Sequence, residues 1–273
     1  MRTAITGVGL FTPEQSISND ELVESFNQYV DAHNAEHAEA IARGDTVALQ
    51  HSSSEFIYKA SGIKSRYCVD KAGVLDPAVM HPVIATRGND APSLMVEMGL
   101  GDAATAVVVE PLDAAAGKVT FELLGTRLVT QFSNNIRNNF GFLNRSESPS
   151  RGWADVLFTQ EGRKVFKEVV PLVSELISSH VADLGLAVKD VRRFWLHQAN
   201  LSMNQLIAKR VLGRDATLEE APVILDRYAN TSSAGSVIAL SLHHEDLAVG
   251  DLGVLSAFGA GYSAGSVVMR RVG

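Results

Sequence analysis

The 273-residue chain carries 31 Asp and Glu residues against 24 Lys and Arg residues, which gives a formal net charge of −7 at pH 7. Hydrophobic residues make up 46% of the chain and charged residues 20%, a globular composition that excludes a fibrous repeat and a fully disordered chain. An acidic chain without a basic stripe lacks the cations that displace counterions from phosphates, so we expect no nucleic-acid partner.

The single cysteine, Cys68, excludes an internal disulfide and any zinc or iron–sulfur site built from several thiolates. No apolar run approaches the ~18 residues that a membrane-spanning helix needs. The first residues also lack the pattern of a signal peptide. The sequence therefore predicts a cytoplasmic protein without a membrane span.

The first half of the chain contains several clear local signals. Residues 2–8 are rich in β-branched side chains and predict a buried strand. Ser18 and Glu21 have the spacing of a capping box, which predicts that a helix begins there and continues to residue 43. The run 103–109 is apolar throughout and predicts a strand buried on both faces. The other predicted elements are a helix over residues 53–60, strands over 63–69 and 120–130, and loops over 71–93 and 134–151.

The second half alternates between strands and helices. A long helix is predicted over residues 160–184, with a kink or a break at Pro171. The alternation that follows predicts a layered α/β fold whose helices cover a sheet. The predicted strands are residues 193–196, 223–225, 252–258 and 266–271, and the predicted helices are residues 202–212 and 233–242.

Polar residues follow three of these predicted strands. His197 comes directly after one strand, Asn230 follows the next, and a glycine-rich turn with Ala260 follows the third. Consecutive parallel strands end at one edge of a sheet, so His197 and Asn230 are expected to meet there. A neutral imidazole whose other nitrogen is bonded elsewhere, together with a side-chain amide, can donate to one oxygen as an oxyanion hole does. Each residue also has a simpler interpretation, as a buried core histidine and as a helix-capping asparagine.

These signals, together and in this order, resemble the β-ketoacyl-acyl-carrier-protein synthase III family of the thiolase superfamily. The resemblance implies a thiolase-like layered α/β fold of two related halves, residues 1–155 and 156–273. It also implies an acyltransferase that condenses an acyl thioester with a malonyl thioester, with loss of carbon dioxide, in fatty-acid or related biosynthesis. The segments that carry the resemblance are residues 5–9 (ITGVG), 18–22 (SNDEL), 61–66 (SGIKSR), 101–107 (GDAATAV) and 161–167 (EGRKVFK), with the chain that follows the last of these.

The same resemblance implies roles for individual residues. His197 and Asn230 would hold the malonyl thioester carbonyl during decarboxylation, and the backbone N–H of Ala260 would help to hold the acyl oxyanion. Acyl-CoA, malonyl thioesters and acyl carrier protein would be the partners, with no separate cofactor and no metal. A homodimer, or association with an intact synthase, is also expected. The residues expected to contact the substrate or its coenzyme A arm are Phe56, Asn200 and Phe258.

The chain departs from the family pattern where the nucleophilic cysteine belongs. The family carries this cysteine on a buried helix in an Ala-Cys-Ser/Ala-type motif, and no such motif occurs here. Residues 93–98 resemble the start of a helix that precedes the cysteine, whereas Gly101 and Asp102 resemble a turn that follows it. At ~30 residues per strand–helix–strand unit, roughly a hundred residues of the pattern are missing near residues 98–101. A deletion, a mis-joined gene model and a gap closed up in the numbering would each give this pattern.

The shortened first half opens an alternative function. The chain would then be a non-condensing thioester-binding subunit that pairs with an intact synthase, or would retain only malonyl-thioester decarboxylation. Such a protein would expose an apolar surface where the missing strands would pack.

Cys68 lies outside the family's cysteine motif, so we predict that it is a structural residue rather than a substitute nucleophile. The nearby cationic side chain of Arg66 could nevertheless lower the pKa of its thiol.

Two short motifs are typical of other enzyme classes. Residues 261–265 (GYSAG) match the nucleophile elbow of serine hydrolases, but a strand is predicted to follow and no histidine lies beyond His244. His33 and His37 match an H-x-x-E-H zinc motif on a predicted helix, but the flanking residues are those of a solvated face. We therefore predict neither a serine hydrolase nor a metal site.

Overall fold

A six-stranded sheet flanked by helices lies at the centre of the structure, a computed structural model that describes residues 2–85, 99–115, 120–138 and 158–273. The described strands are β1 (Thr3–Phe11), β2 (Gln15–Ser18), β3 (Ser65–Cys68), β4 (Ala104–Pro111), β5 (Phe121–Ser133), β6 (Ile136–Asn138), β7 (Phe158–Gln160), β8 (Val191–Leu196), β9 (Leu252–Gly259) and β10 (Gly261–Arg271). The described helices are α1 (Asn19–Glu36), α2 (Ala38–Arg43), α3 (Ser54–Ser61), α4 (Lys71–Leu75), α5 (Pro77–Ala85), α6 (Gly162–Asp183), α7 (Leu201–Leu212), α8 (Leu225–Tyr228) and α9 (Ala234–Leu242).

The strand order of the central sheet is β4–β1–β5–β10–β9–β8. β8 and β9 are parallel, and the other neighbouring pairs are antiparallel. Three strands come from residues 1–155 and three from residues 156–273, although the boundary between these halves lies outside the described residues. The sheet therefore joins both predicted halves, and their division remains a prediction.

Local sequence signals mark the start of α1 as predicted, but the helix predicted to continue to residue 43 ends at Glu36, and α2 covers residues 38–43 separately. The Ser18 hydroxyl accepts from the Glu21 N–H at 3.2 Å, while the Glu21 carboxylate accepts from the Ser18 N–H at 2.9 Å, so the capping box of α1 is formed. Gly62 and Gly213 follow α3 and α7 with φ values of 84° and 71°. Glycine adopts this left-handed conformation without the steric cost of a Cβ, and it ends both helices.

The long helix α6 continues through Pro171, so the break that the sequence allows is absent. Proline removes the hydrogen bond to the carbonyl four residues earlier, which belongs to Lys167. Both Pro171 and Lys167 lie on the exposed side of the helix, where water can satisfy that carbonyl. Valines on the opposite side remain buried in the core, and this packing stabilises the helix across the proline.

The loop predicted over residues 71–93 is wrong for its described part, because residues 71–85 form α4 and α5. Asp70 caps α4 by accepting from the Gly73 N–H at 2.9 Å. Pro77 is the first residue of α5, a position whose N–H has no acceptor within the helix, so the N–H that proline lacks is not needed there. Residues 86–93 lie outside the described residues. The other predicted loop, 134–151, contains β6 in its described part.

The strand predicted to be buried on both faces, β4, is instead an edge strand. Among the described strands it pairs with β1 alone, and Val108 and Val109 are each about half exposed. An apolar, β-branched run indicates a strand but does not reveal what covers its faces. The exposed valines fit the apolar surface that the sequence predicts for a first half short of strands.

Helices cover both faces of the sheet near its β8 end. Phe194 and Leu196 of β8 pack in one cluster with residues of α6 and α7. Trp195, which points to the opposite face, packs in a second cluster with residues of α9. A third cluster lies among α1, α3 and α5. This packing fixes the end of β8, from which the chain enters the candidate site.

Candidate active site

A cavity of about 510 Å³ lies where the loops after β8, α8 and β9 meet α3 and α6. Five of the six side chains and loop positions predicted from the sequence line it. The cavity-lining residues among them are His197, Asn200, Asn230, Phe258 and Ala260. Phe56 does not line the cavity and lies on the outer side of α3 with 44% of its surface exposed.

His197 follows β8 directly and is buried, with its ring centroid 4.3 Å from that of Phe258. Burial penalises the charged form and lowers the pKa of His197 to about 4, so the imidazole is neutral at pH 7. Its Nδ1 atom is buried without a hydrogen-bond partner among the described residues. The expectation that the second ring nitrogen is engaged elsewhere is therefore not met within those residues.

Asn230 also lines the cavity. Its Oδ1 atom accepts from the Ser232 N–H at 2.9 Å, whereas its Nδ2 atom makes no hydrogen bond to the described residues. The flanking residues Ala229 and Ser232 both have positive φ, 55° and 56°. Non-glycine residues rarely adopt this conformation, and strain of this kind concentrates at functional sites.

The route by which Asn230 reaches the cavity differs from the prediction. Residues 223–225 do not form a strand, and the helical turn α8 leads to Asn230 instead. The Ile224 N–H bonds to the side chain of Gln198 rather than to a neighbouring strand. The argument from two consecutive parallel strands is therefore wrong, because a three-residue apolar run does not distinguish a strand from a buried loop. His197 and Asn230 nevertheless line the same cavity.

Gln198 is a residue of the site for which the sequence predicts no role. Its side chain is fully buried and donates from Nε2 to the carbonyls of Leu196 and Pro222, at 2.9 and 3.2 Å. Its Oε1 atom accepts from the Ile224 N–H at 3.1 Å. Gln198 thus joins the loop of His197 to the segment that leads to Asn230. Its place beside His197 in the chain is the only sequence signal for this role.

Both the oxygen and the nitrogen of the Asn200 side-chain amide form hydrogen bonds to the backbone. Its Oδ1 atom accepts from the Met203 N–H at 3.2 Å and caps α7, and its Nδ2 atom donates to the Ala60 carbonyl at 2.6 Å. The capping interpretation, which the sequence attaches to Asn230, thus applies to Asn200. The side chain fixes one wall of the cavity and holds α3 against α7.

Cys68 lies outside the cavity and inside the hydrophobic cluster that contains Ile17 and Leu22. Burial is the main cause that raises the pKa of its thiol, and the Asp102 carboxylate adds to the effect. The cations of Lys71 and Arg66 act in the opposite direction but do not reverse it. A buried and protonated thiol is a poor nucleophile. These features support the prediction that Cys68 is structural.

The two motifs of other enzyme classes lie in unsuitable structures. Residues 261–265 belong to β10, so no strand-to-helix elbow surrounds Ser263, whose hydroxyl lies 3.1 Å from that of Thr130. The rings of His33 and His37 stack 4.2 Å apart on the α1 side of the fold. Among the residues that the structure describes, no group of three His, Cys, Asp or Glu side chains is placed to hold a metal ion.

Within the same residues, no helix is long and apolar enough to cross a membrane.

Comparison with known proteins places the chain among β-ketoacyl-acyl-carrier-protein synthases. Residues 181–271 match the family model of the 3-oxoacyl-[acyl-carrier-protein (ACP)] synthase III C terminal. A β-ketodecanoyl-[acyl-carrier-protein] synthase of Pseudomonas aeruginosa is 43% identical over 349 aligned residues, which cover 91% of this chain and 100% of that protein. Since the chain has only 273 residues, roughly a hundred aligned positions have no counterpart in it, in keeping with the internal gap predicted from the sequence.

Solved structures show the same fold. The crystal structure of 3-oxoacyl-(acyl carrier protein) synthase III from Pseudomonas aeruginosa matches with a TM-score of 0.69 at 18% identity, and the match covers 100% of this chain and 99% of that one. The corresponding synthase of Thermus thermophilus matches with a TM-score of 0.64 at 19% identity, over 97% and 98% of the two chains.

The fold is therefore the thiolase-like fold of acyl-thioester condensing enzymes. The chain belongs to the β-ketoacyl-acyl-carrier-protein synthase III family. It is an acyltransferase of the 3-oxoacyl-acyl-carrier-protein synthase III type, as the resemblance implies.

Proposed function

We propose that this chain performs the malonyl-thioester step of the synthase III reaction at the cavity that holds His197 and Asn230. The observation that carries the proposal is the presence of two uncharged donor groups on one cavity: the neutral imidazole of His197, and the Asn230 amide nitrogen, which has no partner among the described residues. Release of carbon dioxide from malonyl-CoA by the wild-type protein and by the His197→Ala and Asn230→Ala variants tests it.

The chemistry follows from where negative charge develops. Decarboxylation breaks the bond between the carboxylate carbon and the α-carbon, and the electron pair moves into the thioester as an enolate. Hydrogen bonds from His197 and Asn230 to the thioester oxygen are strongest when that oxygen carries the enolate charge, so they stabilise the transition state more than the substrate. In condensation, the enolate carbon attacks the carbonyl of an acyl group and expels the thiolate that carried it.

The substrates we propose are malonyl and acyl thioesters of coenzyme A or of acyl carrier protein, with no separate cofactor. The cavity is lined by more apolar than polar groups, including Phe258, Phe166 and Leu100, and suits a thioester with a hydrocarbon acyl group. The carrier arm would leave between α3 and α7, where Asn200 and Ser61 line the wall. Phe56 on the outer side of α3 remains our candidate for contact with the coenzyme A portion.

A second candidate function is favoured by the position of the only cysteine. Condensation through an acyl–enzyme needs a nucleophile, and Cys68 is buried away from the cavity. If the chain acts alone, the enolate takes a proton from water and the product is an acetyl thioester. The chain would then be a malonyl-thioester decarboxylase, or would serve beside an intact synthase that supplies the nucleophile.

Cys68 should remain unlabelled when the folded protein is incubated with a radiolabelled acyl-CoA, because its thiol is buried and its pKa is raised. Peptide mapping by mass spectrometry measures the label. As a control, a maleimide reagent should modify Cys68 in the unfolded chain, which shows that the residue is detectable. A stoichiometric thioester-linked label on Cys68 of the folded protein would contradict this assignment.

We also propose that two copies of the chain associate through exposed side chains of β5. Leu128 and Phe132 of this strand are 74% and 84% exposed. Beyond Glu122, β5 pairs with β10 alone, which leaves its other edge open among the described residues. Large exposed apolar side chains beside an open strand edge are typical of an interface.

Replacement of Phe132 by aspartate should shift the protein from dimer to monomer, because a charge at this position opposes its burial in an interface. Sedimentation velocity at several protein concentrations measures the shift. Leu218→Asp is the matched control, since Leu218 is 73% exposed outside the sheet. A monomeric wild-type protein, or equal behaviour of the two variants, would contradict the proposed interface.

A further inference from the structure

The segment 99–101 bonds directly to the backbone of Asn230. The Asn230 N–H donates to the Gly99 carbonyl at 2.8 Å, and the Gly101 N–H donates to the Asn230 carbonyl at 3.1 Å. Leu100 and Asn230 form a parallel β-bridge. Both polar groups of the Asn230 backbone are therefore held by one three-residue segment, and Gly99 and Leu100 line the cavity beside the Asn230 side chain.

The same segment is anchored on its other side by β3. The Asp102 N–H donates to the Tyr67 carbonyl at 2.9 Å, and the Asp102 carboxylate accepts from the Val69 N–H at 3.0 Å. The Tyr67 ring lies 5.0 Å from that of Tyr228, two residues before Asn230. Residues 99–102 thus link the backbone of Asn230 by hydrogen bonds to β3, a strand of the first half of the chain.

Only a residue without a side chain fits at the centre of this arrangement. A Cβ atom on Gly101 would lie 2.4 Å from the Tyr228 carbonyl oxygen, far inside the closest approach of real Cβ atoms, and 3.5 Å from side-chain atoms of Arg66 and Thr231. The obstructing atom belongs to the backbone, so it cannot move without the chain that carries Asn230.

We propose that Gly101 is a positioning residue for Asn230: its missing side chain lets residues 99–101 hold the Asn230 backbone so that the amide is aimed into the cavity. The role in catalysis rests on the function proposed above, whereas the positioning itself does not. Strain at Ala229 and Ser232, on either side of the bridge, accounts for the need for such an external support.

Gly101→Ala should loosen the bridge, and hydrogen exchange measures this without any catalytic assay. We expect the Asn230 amide to exchange about tenfold or more faster in the variant, while amides of the central strand β9 keep their rates. Gly9→Ala is the matched control, because a Cβ there would meet only ordinary contacts, the nearest being the Ala106 Cβ at 3.8 Å. Asp102→Ala removes an anchor without adding volume and should change the Asn230 exchange in the same direction, which covers the case in which Gly101→Ala does not fold.

The effect on catalysis is measured as carbon dioxide release from malonyl-CoA by the same variants. Gly101→Ala should lower kcat about tenfold or more, with KM changed by less than about twofold, because a displaced donor fails in the transition state rather than in binding. In combination with Asn230→Ala it should cause no further loss. A double variant that loses the product of the two single effects would show that Gly101 acts independently of Asn230 and overturn the proposal.

Unchanged exchange at the Asn230 amide in both Gly101→Ala and Asp102→Ala would also overturn it. If the wild-type protein releases no carbon dioxide, the proposed function fails by that result alone, and the exchange experiment still decides whether Gly101 positions Asn230.

Discussion

Replacing either His197 or Asn230 with alanine should reduce carbon dioxide release from malonyl-CoA by about a hundredfold or more. Each replacement removes one donor to the enolate oxygen, and the loss of one such donor typically costs ~3 kcal/mol of transition-state stabilisation. Both donors act on a single oxygen, so the double variant should be little worse than either single variant.

Matched replacements elsewhere separate this effect from damage to the fold. His180 is also buried, but it bonds to Ser266 and does not line the cavity, so His180→Ala should keep the wild-type rate wherever it is folded. Asn34→Ala, on the distant helix α1, is the corresponding asparagine control. Single variants of His197 and Asn230 that match the wild-type rate would show that the reaction takes place at another site.

Gln198→Ala should lower the free energy of unfolding by about 3 kcal/mol or more. The replacement leaves two carbonyls and the Ile224 N–H without their buried partner, and each such group costs ~1–3 kcal/mol. For a chain of this size the midpoint of thermal unfolding should fall by roughly 6–12 °C.

Calorimetry or chemical denaturation measures the change. Gln205→Ala on the exposed side of α7 is the matched control, and its effect should stay within about 0.5 kcal/mol. Equal stability of the two variants would contradict the role given to Gln198.

Much of the local structure could be predicted because it depends on local chemistry. The capping box at Ser18 and the glycines at positions 62 and 213 mark helix ends through contacts within a few residues. The surroundings of an element could not be predicted in this way. The run that forms β4 is apolar enough for a buried strand, yet its place at the sheet edge depends on which other strands exist.

In the candidate site, too, the features that depend on local sequence could be predicted and those that depend on distant residues could not. The order of His197, Asn230 and Ala260 in the chain and the family resemblance predict these residues as site residues, and all three line the cavity. The sequence does not predict the contacts that hold His197 and Asn230 in place. Gln198 bonds to residues 222 and 224, and Gly101 bonds to Asn230, across separations in sequence that leave no periodic or spacing signal.

Carbon dioxide release by the wild-type protein, from malonyl-CoA labelled in its free carboxyl group, measures directly whether the cavity of His197 and Asn230 decarboxylates a malonyl thioester. We expect release well above the rate in buffer, with acetyl-CoA formed in equal amount when no acyl donor other than malonyl-CoA is present. If hydrogen exchange shows that the protein is folded, and it nevertheless releases carbon dioxide no faster than buffer, the claim that His197 and Asn230 form a decarboxylating site is contradicted.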